Sequence, residues 1–217
     1  MTDMTWFGNR AENTFRRYVK PRFAGKPTWY LEIGVWTGQS LVWMLEHVLT
    51  HPRSYAFAVD AWLPLWTKKR QWTAEQVEEN YQETLQWCEP YRDKVEIIRS
   101  MSGVWLRQCD LPKHSLDMVY LDGEHTAVGV MDDLALTWPL LKPGGLLLFD
   151  DYFRDKHKWH SVKSVVDAVM PAVYGPYIEQ VCLTRNQIGF IKTGDAKLVI
   201  CQDARQEESQ LVGVSTR

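Results

Sequence analysis

Leu31-Glu32-Ile33-Gly34-Val35-Trp36-Thr37-Gly38-Gln39-Ser40 decides the fold, because it couples an apolar run to a helical pattern through two glycines. On its N-terminal side, residues 28–33 read as a strand. On its C-terminal side, Leu41, Met44, Leu45 and Val48 recur at i, i+3, i+4 and i+7, one face of an amphipathic helix. A strand entering a helix through a glycine turn opens an α/β unit. Outward from there the alternation continues. Apolar runs at 55–59, 95–98, 118–121 and 146–149 read as further strands. Helical spacing recurs in Ala74, Val77, Tyr81, Leu85 and Cys88, in Ala127, Val130, Met131 and Leu134, and in Val162, Val165, Val166 and Val169. Strands apolar on both faces and alternating with helices predict a parallel sheet covered on both sides.

The end of the chain departs from this alternation. Residues 177–182 and 188–192, joined by the polar turn Thr184-Arg185-Asn186-Gln187, predict an antiparallel hairpin. The expected fold is therefore α/β: a doubly wound, Rossmann-like sheet of about seven strands, mostly parallel, with an antiparallel C-terminal hairpin and helices on both faces. Residues 1–24 predict a helical extension with Phe15 and Tyr18 turned inward. Residues 25–193 form the main domain, and 194–217 a polar tail.

A length of 217 residues suits one domain. With 45% hydrophobic and 24% charged residues, the composition excludes a disordered, collagen-like or coiled-coil architecture. Lys and Arg number 25 against 27 Asp and Glu, so the net charge of −2 gives no general field for nucleic acid or an anionic membrane. The four cysteines are scattered without a C-x-x-C pair, which reads as a reduced, intracellular protein. The first 20 residues lack an apolar signal core, and no apolar run approaches the ~20 residues that span a bilayer. The expected location is the cytoplasm.

In an open α/β sheet, ligands bind beyond the carboxyl ends of the strands where strand order reverses. All five parallel-strand candidates end in polar or glycine-rich sequence: at Gly34 to Ser40, at Asp60, at Ser100-Met101-Ser102, at Asp122-Gly123-Glu124-His125, and at Asp150-Asp151. These residues share one rim if the fold holds. A dinucleotide site wants a middle glycine for close approach of a pyrophosphate; Trp36 stands there, so an adenosine cofactor without pyrophosphate fits better. Asp60 follows Gly38 by 22 residues, about where an acidic residue meets ribose hydroxyls. A glycine turn plus an aspartate capping the next helix is the alternative.

The decapeptide resembles motif I of class I S-adenosylmethionine-dependent methyltransferases, in the branch that includes catechol-type and macrocin-type O-methyltransferases. Two later stretches share the resemblance: Leu116 to His125, and Leu140-Leu141-Lys142-Pro143-Gly144-Gly145 followed by Asp150-Asp151-Tyr152. The resemblance implies that Glu32, Gly34, Gly38 and Ser40 cradle the methionine part of S-adenosylmethionine, that Asp60 takes the ribose, and that Ser102 lies beside adenine. Many relatives carry an acidic residue where this chain has Met101.

Asp122, Asp150 and Asp151 crowd adjacent strand ends, and such carboxylates repel unless a cation or a proton compensates. An all-oxygen set points to a hard divalent ion, Mg²⁺ first, with Ca²⁺ or Mn²⁺ as alternatives, and the resemblance implies metal ligands at these positions. The alternative is that Asp151 caps a turn and Asp122 orients its loop. For the proton of an acceptor hydroxyl, Glu124 and His125 are both candidate bases; the resemblance places the macrocin-type base at the first and the catechol-type lysine at the second. The implied activity is metal-assisted O-methylation of a small hydroxylated acceptor, a sugar, a phenol or another natural product. No nucleic-acid or membrane partner is expected, and a homo-oligomer is compatible. A non-catalytic S-adenosylmethionine-binding partner protein and a hydroxylase-like relative of the branch are the competing readings.

Weaker features do not alter this. His157 and His160 lack a third ligand and read as surface or substrate-loop residues. Residues 68–70 (Lys-Lys-Arg) read as a solvated face. No P-loop or nucleophile-elbow pattern occurs. Trp62, Trp66 and Trp72 within 61–76 suggest a lid over a flat or apolar acceptor.

Overall fold

A computed structural model describes residues 7–64, 71–153, 162–184 and 186–195. Trp66, residues 68–70, His157, His160 and most of the predicted tail (196–217) lie outside the described residues. One seven-stranded sheet organises the rest. Its strands are β1 (Trp29–Ile33), β2 (Tyr55–Asp60), β3 (Val95–Arg99), β4 (Leu116–Leu121), β5 (Leu141–Phe149), β6 (Ile178–Leu183) and β7 (Ile188–Lys192). The spatial order is β3-β2-β1-β4-β5-β7-β6. Strands β1 to β5 run parallel, and β7 is antiparallel to both β5 and β6. The doubly wound sheet with its antiparallel hairpin is therefore the observed fold.

Alternate strand residues feed two cores, as the pleat requires. Tyr30, Ala56, Ala58, Met118, Tyr120, Leu146 and Leu148 face one side. There they meet helix α3 (Gln39–His47), helix α4 (Ala74–Cys88) and the N-terminal segment of α1 (Asn9–Thr14), a π-helical turn (Phe15–Val19) and α2 (Lys20–Phe23). Phe15 and Val19 are fully buried in that core, so this segment is part of the packed body. Leu31, Ile33, Val119, Leu121, Leu147 and Phe149 face the other side. They meet α5 (Ser102–Gln108), α6 (Ala127–Thr137) and α7 (Val162–Val169).

Two helix faces differ from the expected stripes, for identifiable reasons. In α6, Met131 is half exposed, and the inward row is Val130, Asp133, Leu134 and Thr137. The helix is rotated because Asp133 is itself buried, with the Ser102 hydroxyl donating to it. In α4, Thr84 is buried in place of Leu85, because its hydroxyl serves the motif turn described below. A capping box between Thr73 and Gln76 starts this helix. Among the described residues, no helix is long and apolar enough to cross a membrane, and Cys88, Cys109 and Cys182 are free.

Candidate active site

Hydrogen bonds between neighbouring strands run one residue past the strand ends and align the rim. Ser100 N donates to Asp60 O, Gly34 N to Val59 O, Asp122 N to Ile33 O and Asp150 N to Leu121 O, at 2.8–3.0 Å. The expected polar residues thus stand in one row across β3, β2, β1, β4 and β5. At roughly 4.8 Å per strand, the Asp60 and Asp150 ends lie about 15 Å apart. The order reverses between β1 and β4, the usual place of a ligand crevice.

The turn after β1 requires its glycines. Gly34 has φ +88°, and a Cβ there would sit 2.1 Å from the Asp122 carbonyl oxygen. Gly38 has φ +77° and faces Thr84 at 3.0 Å. Between them, Trp36 holds φ +52°, a left-handed conformation that strains a bulky residue. Its backbone is pinned from three directions. Trp36 N and Val35 N donate to Asp60 Oδ2 at 2.9 and 2.8 Å. Trp62 Nε1 donates to Trp36 O at 2.8 Å, and Thr84 Oγ1 lies 3.0 Å from the same oxygen. Asp60 Oδ1 also accepts from Trp62 N at 2.8 Å. Asp60, expected to meet ribose, therefore organises the turn first and retains one lone-pair position on Oδ1. Trp62 is buried and Trp72 packs on the Trp36 ring at 4.8 Å, so both indoles pack against the turn.

Glu32 is fully buried beneath this turn. Its carboxylate accepts from Tyr30 Oη at 2.8 Å and from Ser40 Oγ. Burial pushes it up to about 8, against the partial relief of those hydrogen bonds, with Asp122 and Asp60 adding repulsion. Burial thus favours the protonated form of Glu32 in the folded chain. Between its ordinary value of 4.5 and about 8, the folded chain binds a proton that the unfolded chain has lost. Stability therefore falls as pH rises through that window, by up to about 1.4 kcal/mol per unit. Glu32→Gln should flatten this slope in urea titrations at pH 5 to 8; an unchanged slope would assign the burial cost elsewhere.

At the β4–β5 end, Asp122, His125 and Asp151 meet. Each offers one ligand atom, and these atoms lie within 4.8 Å of one another. His125 Nε2 is 3.3 Å from Asp122 Oδ1 and 3.4 Å from Asp151 Oδ2. Asp151 holds φ +54°, the kind of strain that gathers at functional sites. The two carboxylates are the oxygen donors that a hard divalent cation such as Mg²⁺ or Mn²⁺ takes, whereas an imidazole is a donor for softer transition metals. Asp150, expected in the same ligand set, lies on the same side of the sheet as Asp122 and close enough to feel its charge, but its carboxylate is held by other partners. Its Oδ2 accepts from Tyr120 Oη at 2.6 Å and its Oδ1 from Asp151 N at 2.7 Å. Burial pushes Asp150 up to about 7, and Asp122 adds to the rise. Gln187 Nε2 donates to Tyr120 Oη at 3.3 Å behind it. Glu124, directly before His125, is exposed and accepts from the Thr126 hydroxyl at 2.6 Å, beside the α6 cap.

Ser102 opens α5, and its hydroxyl donates to Asp133. Burial pushes Asp133 up to about 6. The residues that sequence reasoning missed are Thr84, Trp62 as a donor, Tyr120, Asp133 and Gln187. Strand parity offered the signal for Tyr120: it pairs with Leu148, so Asp150 two residues on lies on its side of the sheet.

Known proteins share this fold. A search of curated proteins finds no match. Among solved structures, an rRNA-methylase assigned as putative from Clostridium thermocellum superposes with a TM-score of 0.59 at 14% identity, covering 85% of this chain and 98% of that one. The O-methyltransferase NovP gives 0.55 at 18% identity, covering 77% and 73%. The MycE methyltransferase of the mycinamycin biosynthetic pathway, solved with Mg, SAH and mycinamycin VI, gives 0.52 at 16% identity. The match covers 94% of this chain and 54% of MycE, so the chain spans about half of that protein. At these identities the likeness is one of fold. A family model described as a methyltransferase domain matches residues 31–152, from the motif turn through Asp122 to Tyr152. With its glycine turn, rim and strand order, the chain belongs to the class I S-adenosylmethionine-dependent methyltransferases.

Proposed function

We propose that this methyltransferase acts on a hydroxyl group of a small molecule with the help of a divalent cation. The observation that carries the reading is the meeting of Asp122, His125 and Asp151 one strand away from the Gly34 turn. The glycine cradle fits S-adenosylmethionine, whose sulfonium supplies an electrophilic methyl group. Asp122 and Asp151 would hold the cation, which lowers the pKa of a hydroxyl and fixes its oxygen. His125 Nε2, beside both carboxylates, is positioned to accept the hydroxyl proton. Glu124 is the weaker base, because its carboxylate is engaged with Thr126 at the edge. Tyr120 and the Asp151 amide hold Asp150 as a support behind the group. The partner is a small hydroxylated acceptor rather than nucleic acid, in keeping with the net charge of −2.

The test combines calorimetry with S-adenosylmethionine and turnover on sugars, phenols and aliphatic alcohols, with Mg²⁺ or with EDTA. S-adenosylhomocysteine should form only when acceptor and cation are both present. Full turnover in EDTA would remove the cation from the reading. Cofactor binding without turnover on any acceptor would favour a non-catalytic binding protein.

A further inference from the structure

A half-open cavity of about 330 Å³ lies between the N-terminal helical segment and the β6–β7 hairpin, outside the group just described. Asn13, Thr14, Arg17 and Tyr18 line one side, and Thr184 and Asn186 the other. The two walls meet where Thr14 Oγ1 and Thr184 Oγ1 approach to 3.5 Å. Each wall is tied to the β5 carboxylates. Tyr152 N, directly after Asp151, donates to Asn186 O at 2.7 Å. Phe15, directly after Thr14, packs edge-on against Tyr120 at 5.1 Å, and Tyr120 Oη donates to Asp150. Both ties lead to the β5 end of the rim rather than to the Gly34 turn.

Size and chemistry both narrow the occupant. Ligand pockets start at about 300 Å³, so this one suits a single ring. Amides and hydroxyls share its walls about equally with apolar surface, Leu183 and the Tyr18 ring included, which matches a ring that has hydroxyls on its edge and C–H groups on its face. Arg17 adds a planar fork of donors matched to a carboxylate or phosphate. Its guanidinium stands 5.5 Å from the Tyr18 ring, a cation–π contact that limits its freedom. We infer that this cavity is a distal acceptor subsite that seats a hydroxyl-rich ring bearing one anionic group, while another hydroxyl of the same molecule reaches Asp122, His125 and Asp151. The inference rests on the proposed methyl transfer to a hydroxyl.

Three probes test it on the full chain saturated with S-adenosylhomocysteine: methyl β-D-glucuronide, glucose 6-phosphate and neutral methyl β-D-glucoside, titrated by ligand-observed NMR. At least one anionic sugar should bind roughly tenfold tighter than the glucoside, and which one binds identifies the anion. Arg17→Gln should erase that preference, whereas Arg22→Gln, an exposed change on the same segment outside the cavity, should retain it. The subsite is overturned if neither anionic sugar binds, or if the preference survives Arg17→Gln. The S-adenosylhomocysteine titration separates the two readings. Failure of wild type to bind it sinks the transfer reading and the subsite with it; binding of it without either anionic sugar sinks only the subsite.

Discussion

Gly34→Ala is expected to destabilise the fold by roughly 3–5 kcal/mol and to abolish cofactor binding. Two effects add. Gly34 sits at φ +88°, where a side chain is strained, and the new Cβ would lie 2.1 Å from the Asp122 carbonyl oxygen and 2.7 Å from Gly123 N. Both are backbone atoms of the neighbouring β4 loop, so no side chain can rotate away. Relief requires β1 and β4 to separate where the ligand crevice forms. Gly144→Ala is the matched control, with φ +84° and nothing within 4 Å of its added Cβ. It carries the strain without the collision and should cost only about 1–2 kcal/mol. Urea unfolding of both variants, with calorimetry against S-adenosylhomocysteine, separates the terms. Equal losses would show that the close approach of the two loops contributes nothing.

Asp122→Ala is expected to lower methyl transfer by on the order of 10²–10⁴-fold while leaving cofactor affinity nearly unchanged. The substitution removes one of the two carboxylates facing His125. It also deletes a candidate cation ligand without disturbing the Asp122 carbonyl against which Gly34 packs. Folding should survive, because the side chain is half-buried and its loss relieves repulsion on Asp150 and Glu32. Turnover at saturating acceptor, read together with S-adenosylhomocysteine binding, checks the split. A parallel loss of cofactor affinity would instead make Asp122 part of the cofactor site.

The strands and the rim were readable because burial on both faces imposes unbroken apolar runs, and each run ended at a residue whose polarity the core cannot tolerate. The β1 turn was readable because φ near +80° at two positions restricts them to glycine. What escaped was set by contacts between elements. Short α5 carries only Leu106 as a buried residue, too little for a periodic signal. Asp133 hides in an apolar stripe because its partner Ser102 comes from another helix. Thr84 is an ordinary polar residue until Trp36 O is placed beside it, 48 positions earlier in the chain. The separation of Asp150 from Asp151 is the sharpest case. The pleat sends Asp150 toward Tyr120, and the left-handed backbone at Asp151 turns its carboxylate to His125 instead.

Mn²⁺ titration of the S-adenosylhomocysteine-saturated protein, followed by electron paramagnetic resonance, tests the cation end of the rim most directly. One Mn²⁺ should be taken up per chain, displaced by Mg²⁺, and lost in Asp122→Ala while the adenosyl ligand stays bound. A wild-type protein that holds the adenosyl ligand yet takes up no Mn²⁺, or an Asp122→Ala protein that still takes it up, would contradict the assignment.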